Sequence, residues 1–496
     1  MQHSNSVFTL RRTAGVLLHV TSLPSGDLGD DALHFAEYLK AAGQSAWQIM
    51  PLGPPGPGNS PYAARSAFAG NPGLISLERL AGEDLLDRAE IDRARPGDES
   101  AREHLFRLAF DRFQLSGHSQ ELEAFEHRDW VGPHSLWLAL RNRYARPWWE
   151  WPPVHRDVAA AFRSVDETLR AEMRYHAFVQ FLFERQWQRV RDHARWLGLT
   201  LIGDLPIFVD RDSADAWANP SIFKLDEQLE PRVLAGVPPD AFSETGQRWG
   251  NPLYDWDAHR QTGYSWWISR VHRTFELVDV VRLDHFRGFQ AAWEIPAEAE
   301  TALEGSWVEG PGIDLFASLE AAVGKGRFIV EDLGIITDDV RFLRHSLGYP
   351  GMAVLQFAFG DRHNTFLNPH LPHNHEPRFV VYTGTHDNDT TAGWFANLGD
   401  LDRANLARYL GRMPSSPAEA TDDLIRLCYA SPARTAIVPL QDVLQLGSEA
   451  RMNVPGVPEG NWAWRFSWDQ IHPERTAWLR DLAETYGRHL EHPRQP

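Results

Sequence analysis

Acidic side chains follow five apolar segments of this sequence, at the point where each apolar run ends. These residues are Asp204, Asp284, Glu331, Asp387 and Asp442. Two basic side chains accompany them, since Arg282 precedes Asp284 by two positions and His386 directly precedes Asp387. A single aspartate in such a place usually caps the next helix. Five together favour a cluster that faces a cleft, because the carboxyl ends of barrel strands carry active sites.

Several carboxylates without a strong nucleophile are typical of glycosyl transfer. The sequence contains no GxSxG elbow, no GxxxxGK[ST] phosphate loop and no HExxH pair. In glycosyl transfer one carboxylate attacks the anomeric carbon, while a second carboxyl group donates a proton and later takes one back. Arg282 would lower the pKa of Asp284 and keep it ionised. The apolar "FIV" before Glu331 would raise the pKa of Glu331 by desolvation, as an acid requires.

A metal site is the competing interpretation of these residues. His285 and His386 are possible ligands, as are the three histidines at positions 370, 373 and 375. The last three lie in "NPHLPHNHEPR", whose spacing matches no closed zinc pattern. The sequence therefore favours a surface loop there over a catalytic metal.

Eight short apolar segments alternate with helical patterns along the chain. They predict strands at residues 15–20, 46–52, 199–205, 278–284, 327–333, 352–358, 379–385 and 435–440. Most are continuous apolar runs, as expected for parallel strands that are buried on both faces. A helix is predicted before Gly43, and a long one over 172–197 that ends at Gly198. The pattern predicts an α/β fold, a closed (β/α)8 TIM barrel, with a doubly wound open sheet as the alternative.

The whole chain, 1–496, is expected to form a single catalytic barrel domain with two large insertions. Residues 79–197 are helix-patterned and contain "ARPWWEWPPVH", which predicts a mainly helical insertion subdomain. Residues 210–274 predict a second insertion that carries a substrate-covering loop. No low-complexity stretch or linker divides the chain into independent domains.

The composition argues against several classes of partner. The net charge of −18 disfavours nucleic acid, because a phosphate backbone needs a basic surface. The longest apolar runs are too short to cross a bilayer, and the opening "MQHSNSVFTLRR" lacks an apolar signal core. The single cysteine, Cys428, fits a reducing compartment, so a cytoplasmic location is expected. Most of the 20 tryptophans should fill the core, and a subset on loops would form platforms for sugars.

Several stretches, in order from about residue 15 to 465, resemble those of a known family. They include "LLHVTSLPSGDLGD", "LIGDLPIFVDRDSADAWANP", "AGVPPDAFSETGQRWGNPLYDW", "VVRLDHFRGF", "IVEDLGIIT", "VYTGTHDNDTT" and "QDVLQLGSEARMNVPG", which continues after Val457 as "PEGNWAWR". The sequence resembles the 4-α-glucanotransferases of the amylomaltase type, within the α-amylase superfamily. The resemblance implies a barrel without the C-terminal β-sandwich of α-amylases, and no cofactor or calcium.

The resemblance also implies residue roles. It makes Asp284 the nucleophile with Arg282 beside it, Glu331 the general acid/base, and Asp387 the group that stabilises the transition state by binding sugar hydroxyls. It places His386 in the same subsite and Asp204 as a supporting carboxylate. The remaining substrate-binding residues that it implies are Ser60, Tyr62, Gln247, Trp249, His285, Asp361 and Asn453.

Two positions depart from the pattern of better-known relatives. Pro57 stands where they have Tyr, a residue associated with a secondary glucan site, and Ala241 replaces an aromatic on the loop over the acceptor channel. Because of these changes, the second glucan site, the smallest ring formed and the balance of transfer and hydrolysis do not follow from the resemblance, whereas the catalytic assignments do.

The expected function is therefore a retaining 4-α-glucanotransferase that moves α-1,4-linked segments to the 4-hydroxyl of an acceptor glucan or glucose, with cyclisation when the acceptor is the same chain. Its partners would be α-1,4-glucans and maltooligosaccharides, without nucleic acid or membrane. The alternatives are an α-1,4-glucan hydrolase with the same residues and, more distantly, a non-catalytic glucan-binding protein.

Overall fold

The computed structural model describes residues 12–94, 97–115, 119–239, 243–334, 336–360, 365–457 and 459–489. These residues form twelve strands, in chain order β1 (Thr13–Leu17), β2 (Ala46–Gln48), β3 (Thr200–Leu205), β4 (Val233–Val237), β5 (Gln247–Pro252), β6 (Val280–Leu283), β7 (Ala291–Pro296), β8 (Ser306–Glu309), β9 (Phe328–Val330), β10 (Met352–Val354), β11 (Val380–Tyr382) and β12 (Thr435–Pro439). Eight strands form one parallel sheet, and β4, β5, β7 and β8 form a separate antiparallel sheet.

The parallel sheet is nearly closed into a barrel. Its order is β10–β11–β12–β1–β2–β3–β6–β9, with every neighbouring pair parallel. At the seam between β9 and β10, the Val330 N–H donates to the Pro350 carbonyl at 2.9 Å. The Met352 N–H donates to Asp332 Oδ1 at 2.7 Å in the same place. The predicted (β/α)8 barrel is therefore confirmed, and the open doubly wound sheet is excluded.

Each of the eight barrel strands overlaps one predicted segment, but several predicted segments are too long. The segment at 352–358 shows the reason. Only Met352–Val354 is extended, and Leu355–Phe357 forms a 3-10 turn in which Leu355 is still buried. Because burial continues past the last paired residue, hydrophobicity does not mark where such a strand ends.

The barrel interior is filled by apolar side chains from all eight strands. They are Leu17, Ala46, Ile202, Val280, Ile329, Met352, Val354, Val380, Tyr382 and Ile437. The close approach of β1 and β2 requires glycine at position 15, because a Cβ there would lie 2.5 Å from the carbonyl oxygen of Ala46. The barrel is thus a packed core whose strand ends form a fixed base for a site.

Helices cover the outside of the barrel and make up most of the region between β2 and β3. The described α-helices are Asp30–Ala41, Leu77–Gly82, Arg88–Ile91, Glu99–Leu115, Ser119–Glu126, Val131–Tyr144, Pro153–Arg156, Val158–Arg163, Glu167–Trp196, Ala214–Ala218, Trp256–Gln261, Ser265–Leu277, Arg287–Gln290, Gly312–Val323, Asp338–Leu347, Thr391–Ala396, Asp400–Leu410, Pro417–Ala430, Leu440–Val443 and Pro473–Thr485. No strand follows β12 in the described residues up to 489. None of the described helices has the length and apolar character needed to cross a bilayer.

The two helices predicted in detail are present. Gly43 and Gly198 follow their ends with φ of 71° and 78°, left-handed values that glycine adopts without strain. Helix Glu167–Trp196 begins five residues before its predicted start, where the Asp166 side chain accepts the Leu169 N–H. The boundaries of the 79–197 and 210–274 insertions stay predictions.

The antiparallel sheet was not predicted from the sequence. Its order is β5–β4–β7–β8, so β5 and β8 are its edges. Both edge strands are short and largely exposed, with the sequences "QRWGNP" and "SWVE", and neither shows the buried apolar run that reveals a barrel strand. This sheet lies beside the segment that follows β6, since Trp249 on β5 packs edge-on against His285 with ring centroids 4.9 Å apart.

Candidate active site

Four charged side chains converge where β3, β6 and β9 end. Arg282 Nη1 lies 2.5 Å from Asp204 Oδ2 and 3.1 Å from Asp284 Oδ1, and its Nη2 lies 3.0 Å from Glu331 Oε2. The backbone N–H of His285 also donates to Glu331 Oε2, at 2.8 Å. Adjacent parallel strands bring these residues together because Asp204 is paired in register with Arg282. One guanidinium therefore serves three carboxyl groups.

Exposure divides the three carboxyl groups into a buried one and two accessible ones. The side chains of Arg282 and Asp204 are 2% and 1% exposed, whereas those of Asp284 and Glu331 retain 23% and 22%. Asp204 and Arg282 thus form the base of the site. Asp284 and Glu331 are the groups that a substrate can reach.

Asp284 and Glu331 are hydrogen-bonded to each other, and their pKa values move in opposite directions. Burial raises the pKa of Asp284 well above its usual value, and the negative charge of Glu331 adds to this effect. Burial also acts upward on the pKa of Glu331, but the charge of Arg282 and the His285 N–H outweigh it, so this pKa is lowered. In this arrangement a proton is favoured on Asp284 over Glu331, and Glu331 is the more readily ionised of the two.

The sequence-based expectation for these two pKa values was therefore wrong in direction. It assigned the effect of Arg282 to Asp284 alone and took the "FIV" run as the environment of Glu331. In the structure the same guanidinium contacts Glu331 at 3.0 Å, and a backbone N–H contacts it as well. Neither contact follows from the local sequence, because each joins different strands.

The segment after β11 supplies the opposite side of the site. His386 Nε2 lies 3.4 Å from Asp387 Oδ2, and Asn453 Nδ2 donates to Asp387 Oδ1 at 2.6 Å. The Arg451 side chain donates to the Asp387 carbonyl at 2.6 Å. Residues 451–453 therefore hold Asp387 through both its backbone and its carboxylate.

Tyr62 links the two sides. Its hydroxyl donates to Asp204 Oδ2 at 2.8 Å, and its ring is stacked on His386 with centroids 5.0 Å apart and an interplanar angle of 14°. Its backbone N–H donates to the hydroxyl of Ser60 at 3.3 Å. Burial, with the nearby charge of Asp204, raises the pKa of Tyr62, so the hydroxyl stays a donor.

An open cleft of about 1230 Å³ lies over these groups. Ten of the thirteen residues assigned from the sequence line it, namely Ser60, Tyr62, Gln247, Trp249, Asp284, His285, Glu331, His386, Asp387 and Asn453. Arg282 and Asp204 lie beneath it, and Asp361 lies outside the described residues. Pro57 also lines the cleft, whereas Ala241 falls outside the described residues.

Sequence reasoning missed other parts of the cleft wall. Phe208, Asn251 and Trp462 line it, and Trp462 packs 5.8 Å from Tyr62 and 5.9 Å from His386 between ring centroids. All three lie in stretches whose resemblance to a family was noted. The one available signal was a tryptophan in "GNWAWR", but a motif does not show which of its side chains points into a cleft.

The remaining strand-end carboxylates support the site from behind. Asp442 accepts hydrogen bonds from the hydroxyls of Thr383 and Thr391 at 2.6 and 2.7 Å, and from the Thr391 N–H at 2.7 Å. Asp332 lies 3.1 Å from Arg344 Nε and accepts the Met352 N–H. Asp442 is buried and the side chain of Asp332 is only 9% exposed, so both carboxylates support the surrounding structure and do not contact a substrate.

The histidines of the metal interpretation have protein partners. His375 pairs with the Ser431 hydroxyl at 2.7 Å and the His370 carbonyl at 2.9 Å, and His370 Nδ1 accepts the Val354 N–H at 3.1 Å. In the part of the chain that the structure describes, no group of three or more His, Cys, Asp or Glu side chains is placed to hold a metal ion.

A (β/α)8 barrel with two accessible carboxyl groups on one arginine and a third carboxylate across a cleft defines a carbohydrate-active enzyme of the glycosyl-transfer class. The chain belongs to the 4-alpha-glucanotransferase family, whose model matches residues 18–470.

Individual relatives agree with this assignment. The 4-alpha-glucanotransferase of Thermus thermophilus is 47% identical over 501 residues, covering 96% of this chain and 99% of that protein. The 4-alpha-glucanotransferase of Aquifex aeolicus is 45% identical over 491 residues, covering 97% and 100%. The structure of the amylomaltase from Streptococcus agalactiae in complex with acarbose matches with a TM-score of 0.92 at 33% identity, covering 97% of this chain and all of that one.

Proposed function

We propose that this protein transfers α-1,4-linked glucan segments by a retaining double displacement in which Asp284 and Glu331 react and Asp387 binds the sugar. The observation that carries the assignment is the shared contact of Asp284 and Glu331 with Arg282, at 3.1 and 3.0 Å, at the base of an open cleft. Such a pair supplies a nucleophile and a proton from neighbouring positions.

The first step is cleavage of the donor. Glu331 gives a proton to the glycosidic oxygen as the bond to the anomeric carbon breaks, and the leaving glucan departs with a free 4-hydroxyl. Asp284 forms the new bond to the anomeric carbon from the opposite face, giving a covalent β-glucosyl ester. Arg282 remains between the two carboxyl groups and compensates the charge that changes place.

The opposite directions of the two pKa shifts imply a proton shift before this step, because a proton is favoured on Asp284 over Glu331 until a sugar enters. The hydrogen bond between the carboxyl groups provides the route from Asp284 to Glu331. A sugar ring that brings its glycosidic oxygen to Glu331 adds an acceptor there and favours the protonated form of that residue. Asp284 is then ionised and able to attack.

The second step transfers the segment. The 4-hydroxyl of an acceptor loses its proton to Glu331, its oxygen bonds to the anomeric carbon, and Asp284 leaves as a carboxylate. Asp387, held by Asn453 at 2.6 Å, binds hydroxyls of the reacting sugar more strongly as positive charge develops on the ring. Two inversions give net retention, and an acceptor at the far end of the same chain gives a cyclic product.

Aromatic side chains over the cleft favour an acceptor sugar over water. Trp249, which is 38% exposed, faces the cleft beside His285, and Tyr62 and Trp462 line it elsewhere. A flat apolar wall holds a sugar ring and leaves water without hydrogen-bond partners. We propose α-1,4-glucans and maltooligosaccharides as substrates and acceptors. We further propose a cytoplasmic location, which the single, buried cysteine supports.

The test is incubation with maltotriose, with and without EDTA, followed by chromatography of the oligosaccharides and measurement of reducing ends. Glucose together with longer maltooligosaccharides, without a rise in reducing ends, is the expected result in both conditions. Asp284→Asn and Glu331→Gln should each reduce turnover by about a thousandfold or more while the protein stays folded. A rise in reducing ends with shorter products only would instead indicate a hydrolase.

A further inference from the structure

The two edges of the antiparallel sheet each carry a half-exposed tryptophan, and both contact the segment that follows Asp284. Trp249 on β5 is 38% exposed and packs against His285. Trp307 on β8 is 39% exposed and lies against Arg287, whose guanidinium carbon is 3.9 Å from the ring centroid. The contacted residues are two positions apart, so their Cα atoms are at most about 7 Å apart.

Only one of these tryptophans is used by the proposed reaction. Trp249 lines the cleft, whereas Trp307 is absent from its wall. Trp307 is therefore an exposed indole that the proposed reaction does not use. Seven other tryptophans are almost fully buried, namely Trp47, Trp137, Trp148, Trp151, Trp187, Trp217 and Trp267.

Trp307 is held in a fixed orientation. Trp293, its register partner on β7, packs against it with ring centroids 5.2 Å apart and an interplanar angle of 67°. Arg287 covers its ring and donates to the Thr337 hydroxyl at 3.1 Å, which ties this contact to the segment that follows Glu331. The indole is therefore a preorganised flat surface at the catalytic face of the barrel.

We propose that Trp307 is a stacking platform for an α-glucan chain outside the catalytic cleft, and this inference rests on the proposed function. Its apolar ring suits the carbon-bound hydrogens of a glucose residue. Polar groups flank the ring, since Arg287 lies on it and the exposed Glu309 follows two positions later on the same strand face. A neutral sugar stacked on the ring can donate a hydroxyl hydrogen bond to the Glu309 carboxylate, and a long glucan would contact both the cleft and the platform.

The platform predicts a dependence on chain length. Trp307→Leu keeps apolar contact with Trp293 but removes the flat ring, and Trp307→Phe keeps a smaller ring. With amylose as donor, Trp307→Leu should raise KM about fivefold to tenfold and Trp307→Phe by less, with kcat unchanged. Maltotriose has only three glucose residues, which the proposed reaction places in the cleft, so with this donor all three proteins should have the same kcat/KM.

A matched control is available in Trp196, an exposed tryptophan at the end of helix Glu167–Trp196 whose ring neighbour is His193. Trp196→Leu should leave KM for both substrates unchanged.

Equal losses of kcat/KM on amylose and maltotriose in Trp307→Leu would overturn the proposal, because they would indicate that Trp307 only supports the segment that follows Asp284. An unchanged KM for amylose would overturn it as well. If the wild-type protein transfers nothing from maltotriose, the proposed function fails. That result can be told apart from the two outcomes that would overturn the platform, because those concern only the Trp307 variants.

Discussion

Arg282 and Asp204 form an ion pair with an Nη1–Oδ2 distance of 2.5 Å and almost no solvent exposure. The pair does more than support Arg282. Burial is the main cause of the raised pKa of Asp284, and the negative charges of Glu331 and Asp204 add to it while Arg282 opposes it. Asp204 thus helps to set the proton affinity of the reacting pair without being exposed to a substrate.

Asp204→Asn should shift the pH profile of activity to lower pH. Removing a negative charge behind the Asp284–Glu331 pair favours the deprotonated forms of the pair. Both limbs of the profile should therefore shift to lower pH, by about one pH unit. The measurement is kcat/KM for maltotriose from acid to alkaline pH. Tyr62→Phe is the control, because it removes the other partner of Asp204 but changes no charge, and it should lower activity without moving the limbs. A shift to higher pH would contradict the charge argument.

Asp442 fixes both ends of the segment that carries His386 and Asp387. Its carboxylate binds Thr383 at the end of β11 and Thr391 at the start of the next helix. Asp442→Ala would leave the buried Thr391 N–H without an acceptor, so we expect a loss of about 3 kcal/mol in the free energy of unfolding and a clear drop in kcat. Urea unfolding and maltotriose kinetics at low temperature measure the two effects.

Thr383→Val is the graded control for Asp442→Ala. It removes one of the three donors and keeps the side-chain volume, so the loss of stability should be about 1 kcal/mol. If Asp442→Ala lost stability but kept the wild-type kcat, the segment would be positioned by other contacts.

The sequence was sufficient for the barrel because its strands are buried on both faces. A run such as that of β9, "FIV", is continuous, apolar and fully buried, as expected for a strand inside a barrel. The antiparallel sheet escaped prediction because β5 and β8 are exposed edges with polar residues and glycine. The sheet also depends on the pairing of β4 with β7, which lie far apart in the chain and are separated by β6 of the barrel.

The convergence of the candidate site residues on one cleft could be predicted, but their electrostatics could not. Asp284 and Glu331 were recognisable from strand ends and motifs, since both features are local. The direction of their pKa shifts depends on Arg282 Nη2 reaching across from β6 to Glu331 and on the His285 N–H. His285 has a φ of 47°, a left-handed conformation that is uncommon for residues other than glycine and that no local pattern predicts.

Arg488 should matter for stability and not for catalysis. It is fully buried and donates to the carbonyls of Thr13, Tyr429, Ser431, Ala433 and Arg434 at 2.8 to 3.0 Å, tying the C-terminal segment to the residues around β1 and β12. Arg488→Lys leaves several of these acceptors unpaired, so we expect a loss of about 3 kcal/mol in the free energy of unfolding. The kcat at a temperature where the variant is folded should equal that of the wild type, and a reduced kcat there would contradict a purely structural role.

Asp332 gives the barrel seam a measurable pH dependence. Burial is the main cause of its raised pKa, about 6 against an ordinary 3.8, and it outweighs the opposing charge of Arg344. The folded state therefore binds this proton more tightly than the unfolded state, and the contribution of Asp332 to stability falls as pH rises from about 4 to about 6. Asp332→Asn removes this titration. Relative to the wild type, the variant should gain about 1 kcal/mol in the free energy of unfolding between pH 5 and pH 7, as measured by urea unfolding at both values. If the difference in the free energy of unfolding between the variant and the wild type stayed constant with pH, Asp332 would be ionised in both the folded and the unfolded state throughout this range. Its hydrogen bond to the Met352 N–H would then outweigh the cost of burying its charge.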